Sequence, residues 1–451
     1  MADRERIVRS ERSIKSEEGK RKKIALAVEA RDFGPISGGK ITLKPLTLFI
    51  GPNNSGKSYA AMLVHSIFES YTPTALRGPM PLFYKWHFFA RDIEVHKILV
   101  EERAELKRHI NTLKEEEELE ISTLFLEKVT TRIFDALYEK RLSDEIVRSY
   151  ACPLRNLIRI GKRDFTLKIN VNSFEIRLNY QKGEKLKIEE YPKLDLKIKI
   201  KASGTLIREF KVHRKEKEFL IQIGVGRNKK EQDFLVVRLM DSIFGICASN
   251  LLENVAIPCY YLPAARSGIL QGHKALAASI LKKVPYVGIE RLEIPRFSGV
   301  VSDFISSIIS LPEEKGPFFS LAQEFEKELI KGKIVVRTLD EYRYPEIHYN
   351  FQDTEIPLHR ASSTVSELAP LFLYLKYVVE PGSVLIIEEP EAHLHPKNQR
   401  ILAAFLVKLI RSGVTILITT HSEYLLEQLS SFIMLSKVEP QKRIETLTPS
   451  E

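Results

Sequence analysis

Apolar and polar residues alternate near the start of the chain, whereas apolar residues form continuous runs near its end. Residues 24–51 contain the alternating segments IALAVEA and KITLKPLTLFIG, which predict strands leading into a glycine-bearing loop. Residues 58–70 follow with a helical pattern. Near the end, VLIIEEP and VTILITTHS predict buried strands, and NQRILAAFLVKLIRSG between them predicts a helix ending at Gly413. This alternation predicts an α/β fold with an open parallel sheet.

The middle of the chain has two other patterns. Residues 91–148 are rich in charged helix formers, which predicts an inserted helical arm. Its segment EERAELKRHINTLKEEEELE is compatible with a short coiled hairpin, but a solvated helical face is favoured. Residues 162–230 then alternate with a period of two, which predicts an inserted antiparallel β module. In KLDLKIKIK one face is apolar and the other basic: Leu194, Leu196, Ile198 and Ile200 against Lys193, Lys197, Lys199 and Lys201.

Composition adds one feature to this picture, the position of the charge. The chain has 69 Lys and Arg against 59 Asp and Glu, a formal net charge of +10. Residues 162–230 hold 19 basic and 9 acidic residues, so this stretch carries the whole excess. A hydrophobic fraction of 44% is typical of a soluble folded protein, and 3 Cys residues without paired spacing favour a reducing, cytoplasmic location. No apolar run is long enough to span a bilayer, so no membrane contact is expected.

The run from Gly51 to Ser58 fits the pattern G-x-x-x-x-G-K-S in full, with a predicted strand before it and a helix after it. Such a loop directs backbone N–H groups and a helix N-terminus at phosphates. Lys57 is expected to neutralise phosphate charge and Ser58 to ligate magnesium. The alternative is a glycine-rich turn with an accidental Lys-Ser pair. The predicted ATP and Mg²⁺ site comprises Gly51, Pro52, Asn53, Asn54, Ser55, Gly56, Lys57 and Ser58.

Hydrolysis also needs acidic groups at the end of a neighbouring buried strand, and VLIIEEP supplies them. Glu388 is predicted to hold the magnesium shell and Glu389 to act as general base on water, the alternative being a solvated strand end. The strand VTILITT brings His421 to the same edge, where it is expected either to bond the γ-phosphate or to cap the next helix. For His393 and His395, a loop-shaping role is favoured over a metal site.

Together, LFIGPNNSGKS, LIIEEPEAHLHP and LITTHS resemble the P-loop, the Walker B strand with its D-loop, and the switch histidine of ABC-type ATPases of the SMC/RecF/OLD branch. The resemblance covers about residues 24–70 and 335–435. The family's signature motif is expected where ASSTVSE lies. In the family, a serine of this turn touches the γ-phosphate held by a second subunit, which implicates Ser362 or Ser363. As bare chemistry, these serines are equally a helix N-cap.

Three departures limit the resemblance. Glu388 replaces the Walker B aspartate, the signature lacks a glycine pair, and no glutamine loop is found, so slow or partner-dependent hydrolysis is expected. Arg266 in YYLPAARSG resembles a recurring OLD-like feature, and it is interpreted as a contact to phosphate or another subunit, or as a surface salt bridge. Thirty residues follow His421, so the Toprim nuclease domain of full OLD nucleases is not expected.

The resemblance implies an ABC-type P-loop NTPase head in two parts, separated by the helical arm and the β module. The predicted segments are a charged tail (1–23), the P-loop part (24–75), an insertion (76–255), a mainly helical segment (256–334), and the signature, Walker B and switch-histidine part (335–451).

The implied function is hydrolysis of ATP by a protein that forms a homodimer or higher homo-oligomer around it. The favoured role is the ATPase sensor of a DNA-repair or anti-phage defence complex with a separate nuclease or effector. The alternative is a nucleotide-gated scaffold with negligible turnover, and a stand-alone nuclease is not expected.

The basic region, residues 162–230, offers a surface for DNA. Its charges are interleaved with Phe165, Phe174, Tyr180 and Tyr191, whose rings are able to stack on bases. The favoured alternative is a half-buried sheet whose lysine face keeps its edges soluble.

Overall fold

The fold is described by a computed structural model that covers residues 24, 26–71, 100–112, 117–171, 174–191, 196–203, 211–215, 218–224, 229–252, 257–272, 297–338, 345–352 and 354–437. The predicted tail and residues 91–99 of the predicted arm lie outside these ranges. The strands are β1 Leu26–Phe33, β2 Ile36–Thr42, β3 Leu46–Ile50, β4 Glu118–Glu120, β5 Asp164–Val171, β6 Phe174–Gln181, β7 Lys187–Glu190, β8 Lys197–Ser203, β9 Lys211–Lys215, β10 Glu218–Gly224, β11 Cys259–Leu262, β12 Lys333–Thr338, β13 Pro345–Phe351, β14 Thr354–Pro357, β15 Val384–Glu388 and β16 Thr415–Thr420.

The helices of the described ranges pack around four sheets. They are α1 Lys57–Tyr71, α2 Val100–Thr112, α3 Thr123–Phe134, α4 Leu142–Tyr150, α5 Lys229–Leu252, α6 Gly299–Ile309, α7 Phe319–Leu329, α8 Ser363–Tyr377, α9 Pro396–Arg411 and α10 Glu423–Ser436. A π-helical turn, Asp135–Arg141, joins α3 to α4. Among the described helices, none is both long and apolar enough to cross a membrane.

The central sheet has four parallel strands in the order β11-β15-β16-β3. Its two faces belong to two separate hydrophobic clusters. Val384 and Ile386 of β15 pack into the cluster that includes α1, whereas Leu385 and Ile387 pack into the cluster that includes α8 and α9. Because both faces are covered, the strand is apolar at each of its first four positions, Val384 to Ile387, rather than at alternate ones. The predicted parallel α/β sheet is therefore confirmed.

The basic region is divided between two sheets. Strands β5, β6 and β7 extend the β1–β2 hairpin into a five-stranded antiparallel sheet, β2-β1-β5-β6-β7. Strands β8, β9 and β10 form a second sheet with β4, in which β8 and β10 run parallel. The alternation predicted the strands, but the prediction of one inserted antiparallel module is corrected, because the strands belong to two sheets and β8 pairs with β10 in parallel. The partners of a strand depend on register with distant segments, which local alternation does not specify.

The predicted helical arm is interrupted. In its Glu-rich part, Glu118–Glu120 forms β4, and Leu119 pairs with Ile200 of β8. The prediction of a helix there is wrong, because pairing with a sheet overrides the helix propensity of glutamate. Helix α2 has an exposed face that includes Glu101 and Arg108, as the prediction of a solvated helical face expects, while its Leu106 is buried and Lys107 forms an ion pair with Asp233 of α5.

The fourth sheet, β12-β13-β14, is antiparallel; it precedes the predicted signature turn and was not predicted. It leads through the 3₁₀ turn Leu358–Arg360 directly into α8. The sheet is small, but together with α8 it fixes where the signature turn meets the central sheet.

Candidate functional site

The carboxyl ends of the four parallel strands lie along one edge of the central sheet. In the register of the sheet, Ile50 is opposite Thr420, and Thr419 is opposite Glu388. The loops that begin after β3, β11, β15 and β16 therefore all start at this edge. The structure brings the predicted P-loop, Walker B and switch-histidine segments together at this edge. This is expected, because ligands of open α/β sheets bind at the carboxyl ends of the strands.

The P-loop closes tightly before α1, which begins at Lys57. Gly56 has φ +93°, and a Cβ there would lie 3.1 Å from Cγ1 of Ile36 and 3.3 Å from Cγ of Pro35, so both conformation and space require glycine. The ammonium of Lys57 donates to the carbonyl oxygens of Gly51 and Pro52, each at 2.9 Å. These bonds hold the charge of Lys57 at the loop. The remaining predicted residues of the site are exposed: Asn53, Asn54, Ser55 and Ser58.

Glu388 ends β15 and is 8% exposed. One carboxylate oxygen, Oε2, accepts a hydrogen bond from the backbone N–H of Ala264 at 3.2 Å. The other, Oε1, is buried and accepts none from the residues that the structure describes. The hydroxyl of Tyr261 lies beside this carboxylate, and burial, reinforced by Glu388, raises the pKa of Tyr261 well above its usual range. An orphaned buried carboxylate oxygen is costly unless a ligand satisfies it.

Glu389 differs from Glu388 in its exposure. Its side chain is 42% exposed, and Oε1 lies 3.7 Å from Nε2 of His421, whose side chain is 34% exposed. The backbone of Glu389 has φ 42°, a strained conformation held by a 2.8 Å hydrogen bond from its N–H to the carbonyl of Thr419. The cap of α10 is Ser422, whose Oγ accepts from the N–H of Leu425 at 3.0 Å. The alternative role of His421 as helix cap is therefore wrong.

Glu391 is a site residue that sequence reasoning missed. Its Oε1 accepts from the hydroxyl of Thr420 at 2.5 Å and from the N–H of His421 at 3.0 Å. It thereby ties the loop after β15 to the end of β16. The only signal in the sequence is a third carboxylate in EEPE, which has no special spacing.

The two histidines of EAHLHP, His393 and His395, lie in the loop between β15 and α9 and shape it. Nδ1 of His395 accepts from the N–H of Lys397 at 3.3 Å and caps α9, while His393 has φ 59°. Within the described ranges, no group of three or more His, Cys, Asp and Glu side chains is arranged to hold a metal ion. The carbonyl of His393 accepts from the hydroxyl of Thr364 at 2.9 Å, which joins this loop to the signature turn.

The predicted signature serines lie at the start of α8. Ser362 is the N-cap, and its Oγ accepts from the N–H of Val365 at 3.4 Å. Both Ser362 and Ser363 are exposed. Ser362 caps the helix and is nevertheless exposed, so the capping role does not prevent these serines from contacting a second molecule.

Arg266 is placed differently from both earlier interpretations. It is 1% exposed, so a surface salt bridge and a direct contact to phosphate or another subunit are both wrong. Its guanidinium donates to backbone carbonyls inside the protein, among them that of Glu388 at 2.6 Å. Burial lowers the pKa of Arg266, and the nearby carboxylate of Glu367 opposes this effect. The sequence indicated only that Arg266 follows a strand, and it gave no indication that the side chain is buried.

The basic region places its rings and its charges on different faces. Phe165 and Tyr180 are buried and stack on each other with centroids 5.1 Å apart, so their interpretation as base-stacking rings is wrong. Phe174 packs against the same core, and Tyr191 is 41% exposed with its hydroxyl bonded to Asp135. Lys193 and Leu194 lie outside the described residues.

Many basic side chains of this region pair with acids across or along the strands. The closest pairs are Lys199 with Glu218 at 2.6 Å, Lys187 with Glu184 at 2.7 Å and Lys168 with Glu175 at 2.8 Å.

A P-loop followed by a helix, in one parallel sheet with a buried strand that ends at Glu388 and is followed by Glu389, is the arrangement of a P-loop ATPase head. Residues 27–426 match the family model described as AAA ATPase domain. The chain belongs to this family. The match confirms the predicted ATPase head, whereas the OLD-like assignment stays a prediction. None of the curated proteins matches the chain.

Three solved SMC head structures match the chain at low similarity. An SmcHead bound to the C-winged helix domain of ScpA is 11% identical, with 89% of this chain and 91% of that chain covered and a TM-score of 0.37. An Smc head domain with an extended coiled coil bound to the C-terminal domain of ScpA, derived from Pyrococcus furiosus, has 12% identity, coverages of 89% and 90%, and a TM-score of 0.34. The SMC head domain from Thermotoga maritima has 11% identity, coverages of 89% and 90%, and a TM-score of 0.31.

Proposed function

We propose that this protein binds ATP with Mg²⁺ and hydrolyses it at the carboxyl edge of the central sheet. The observation that carries the proposal is the exposed carboxylate of Glu389, 3.7 Å from the imidazole of His421, on the edge where the P-loop also begins. Glu389 takes the proton of the attacking water, His421 orients the carboxylate and bonds the γ-phosphate, and Lys57 neutralises phosphate charge. Family membership supports the ATPase class.

The donor atoms of the site fit magnesium. Glu388 offers a buried carboxylate oxygen without a protein partner, and Ser58 offers an exposed hydroxyl next to the P-loop lysine. Both are hard oxygen ligands, and magnesium is commonly held by one or two such groups together with phosphate oxygens and water. When bound, the ion neutralises charge on the phosphates. Ser58 and Glu388 are the residues that we expect to hold it.

The test is the substitution Glu389→Gln, with the exposed Glu328→Gln on α7 as the matched control. Phosphate release should be abolished in Glu389→Gln, because an amide does not accept the proton, while binding of ATP is retained. The control should behave as the unchanged protein. Equal rates in both variants would rule out Glu389 as the base. ATP binding without phosphate release by the unchanged protein would instead support the nucleotide-gated scaffold.

We further propose that ATP joins two copies of the chain, as a homodimer or within a larger homo-oligomer. The exposure of Ser362 and Ser363 at the N-terminus of α8 supports this, because an exposed helix start suits an anionic phosphate. In the Glu389→Gln background, ATP and Mg²⁺ should increase the mass measured by light scattering. Ser363→Arg should abolish the increase, whereas Ser431→Arg, on the exposed side of α10, should not.

For the cellular role, we propose the ATPase sensor of a DNA-repair or anti-phage defence complex with a separate nuclease or effector protein. The support is the likeness of the motifs to OLD-like ATPases and the charge excess in residues 162–230, which is suited to DNA. Purification from native cells should recover a second protein with nuclease or other effector activity. Metal-dependent DNA cleavage by the pure chain would contradict this division of labour.

A further inference from the structure

The guanidinium of Arg266 lies between the end of β15 and the start of α8. Arg266 follows β11 by four residues, and its side chain is buried. Toward β15, it donates to the carbonyl of Glu388 at 2.6 Å and to the carbonyl of Glu389 at 3.2 Å. These two residues carry the carboxylates assigned above to magnesium and water. The backbone that aims both carboxylates is thus held by one side chain.

The same guanidinium also reaches α8. Its Nε donates to the carbonyl of Glu367 at 3.2 Å and lies 3.5 Å from the carboxylate Oε2 of that residue. The other carboxylate oxygen of Glu367 accepts from both the N–H and the hydroxyl of Ser267. Glu367 lies one helical turn after Ser363. A displacement of the signature turn is therefore resisted by the residue that holds the Walker B backbone.

Stability alone is a weak reason for this arrangement. A buried ion pair costs desolvation energy that its attraction repays only with complete hydrogen bonding, and an apolar replacement of similar volume is often as stable. Arginine does offer what an apolar residue lacks here, a planar fork of five donors in fixed directions. That fork bonds four carbonyls, and the three that lie on α8 and at the end of β15 fix the relative position of these two elements.

We propose that Arg266 is a positioning residue that couples the signature turn to the strand end bearing Glu388 and Glu389. A phosphate engaged at Ser362 or Ser363 then affects the orientation of the two carboxylates of the same chain, and nucleotide at those carboxylates affects the turn. The inference deepens the proposed function and rests on it, because it concerns the same site. Arg266 itself touches no substrate.

The first test is the kinetics of Arg266→Lys. A lysine keeps the charge but has no planar fork, so it does not bond all three carbonyls at once. The kcat for ATP should fall roughly 10- to 100-fold, as for other residues that orient a site from behind. The KM for ATP should change by less than about threefold, because the P-loop is untouched. An unchanged kcat per folded molecule would overturn the proposal.

A second pair of variants controls for folding. Glu367→Gln removes one charge from the Arg266 pair, and Glu326→Gln makes the same change in another buried pair, Lys376 of α8 with Glu326 of α7 at 2.6 Å. Both should lower the midpoint of unfolding, but only Glu367→Gln should lower kcat. Equal loss of kcat in the two variants would assign Arg266 a structural role.

A measurement that does not depend on ATP hydrolysis separates this inference from the proposed function. With Mg²⁺ and ADP no γ-phosphate is present, so any signal must pass within one chain. In the unchanged protein, ADP should slow amide hydrogen exchange at residues 388–392 and also at 362–367. In Arg266→Lys, only the first segment should respond. The coupling would be overturned, even if hydrolysis is confirmed, by either of two outcomes. In the first, ADP does not slow exchange at residues 362–367 of the unchanged protein; in the second, it slows exchange there equally in the unchanged protein and in Arg266→Lys. If hydrolysis fails, this exchange difference still decides the coupling.

Discussion

The parallel-sheet edge and the basic region both contain many charged side chains, but they place them differently. At the sheet edge, Oε1 of Glu388 is buried without a protein partner, and Glu389 faces His421 at 3.7 Å. In the basic region, Lys199 instead lies 2.6 Å from Glu218 on the neighbouring strand. An acceptor at a strand end without a protein partner is available to a ligand, whereas a laterally paired group is already satisfied. The position of a charge is therefore more informative about function than the number of charges.

The aromatic residues extend the same comparison. Tyr261, near the sheet edge, is buried with its hydroxyl beside Glu388. In the basic region, Phe165 and Tyr180 are buried in a hydrophobic cluster, away from the charged face. The ring of Tyr261 thus lies next to a proposed magnesium ligand, whereas the rings of Phe165 and Tyr180 in the basic region contribute to hydrophobic packing.

The largest effect that we expect tests the packing role of these rings. Phe165→Ala should lower the free energy of unfolding by about 3–5 kcal/mol, because Phe165 contacts Phe33 and Tyr180 with ring centroids at 5.1 Å. Chemical denaturation measures this loss. Tyr191→Ala, at an exposed ring, is the control and should cost much less. Weaker DNA binding by Phe165→Ala with unchanged stability would reverse our assignment.

The next effect compares lysines of the two regions. Lys57→Met should weaken ATP binding or turnover roughly 100- to 1000-fold, because one preorganised charge at the phosphates is lost. Lys197→Met, on β8, should leave both unchanged, since Lys197 lies in the basic region. Titration with a fluorescent ATP analogue and phosphate release measure the two quantities. Comparable losses in the two variants would mean that Lys57 has no special role.

The sequence predicted those parts of the molecule where local pattern and tertiary environment agree. β15 is apolar from Val384 to Ile387 because both its faces are covered, so its end and the position of Glu388 were predictable. β4 was not predictable, because glutamates favour helix and only the distant β8 makes Glu118–Glu120 a strand. The burial of Arg266 depends on carbonyls more than 100 residues away in the chain. No local window contains that information.

A smaller effect tests the anchor of His421. Glu391→Ala removes the acceptor of the Thr420 hydroxyl and the His421 N–H, so unfolding should become easier by about 1–3 kcal/mol. Hydrolysis should also slow, because the imidazole is no longer held beside Glu389. Glu427→Ala, exposed on α10, is the control for both measurements. A stability loss without slower hydrolysis would limit Glu391 to a structural role.

The smallest effect concerns the lysine face of β8. Lys197, Lys199 and Lys201 alternate with the buried Ile198 and Ile200, so their replacement by Gln should leave thermal unfolding nearly unchanged. Their role in DNA binding is tested by the slope of log affinity against log salt. Each lysine that touches a phosphate should reduce that slope by roughly 1 when it is replaced. An unchanged slope would assign these lysines to solubility and would leave the sheet edge as the region of this comparison at which we propose a ligand.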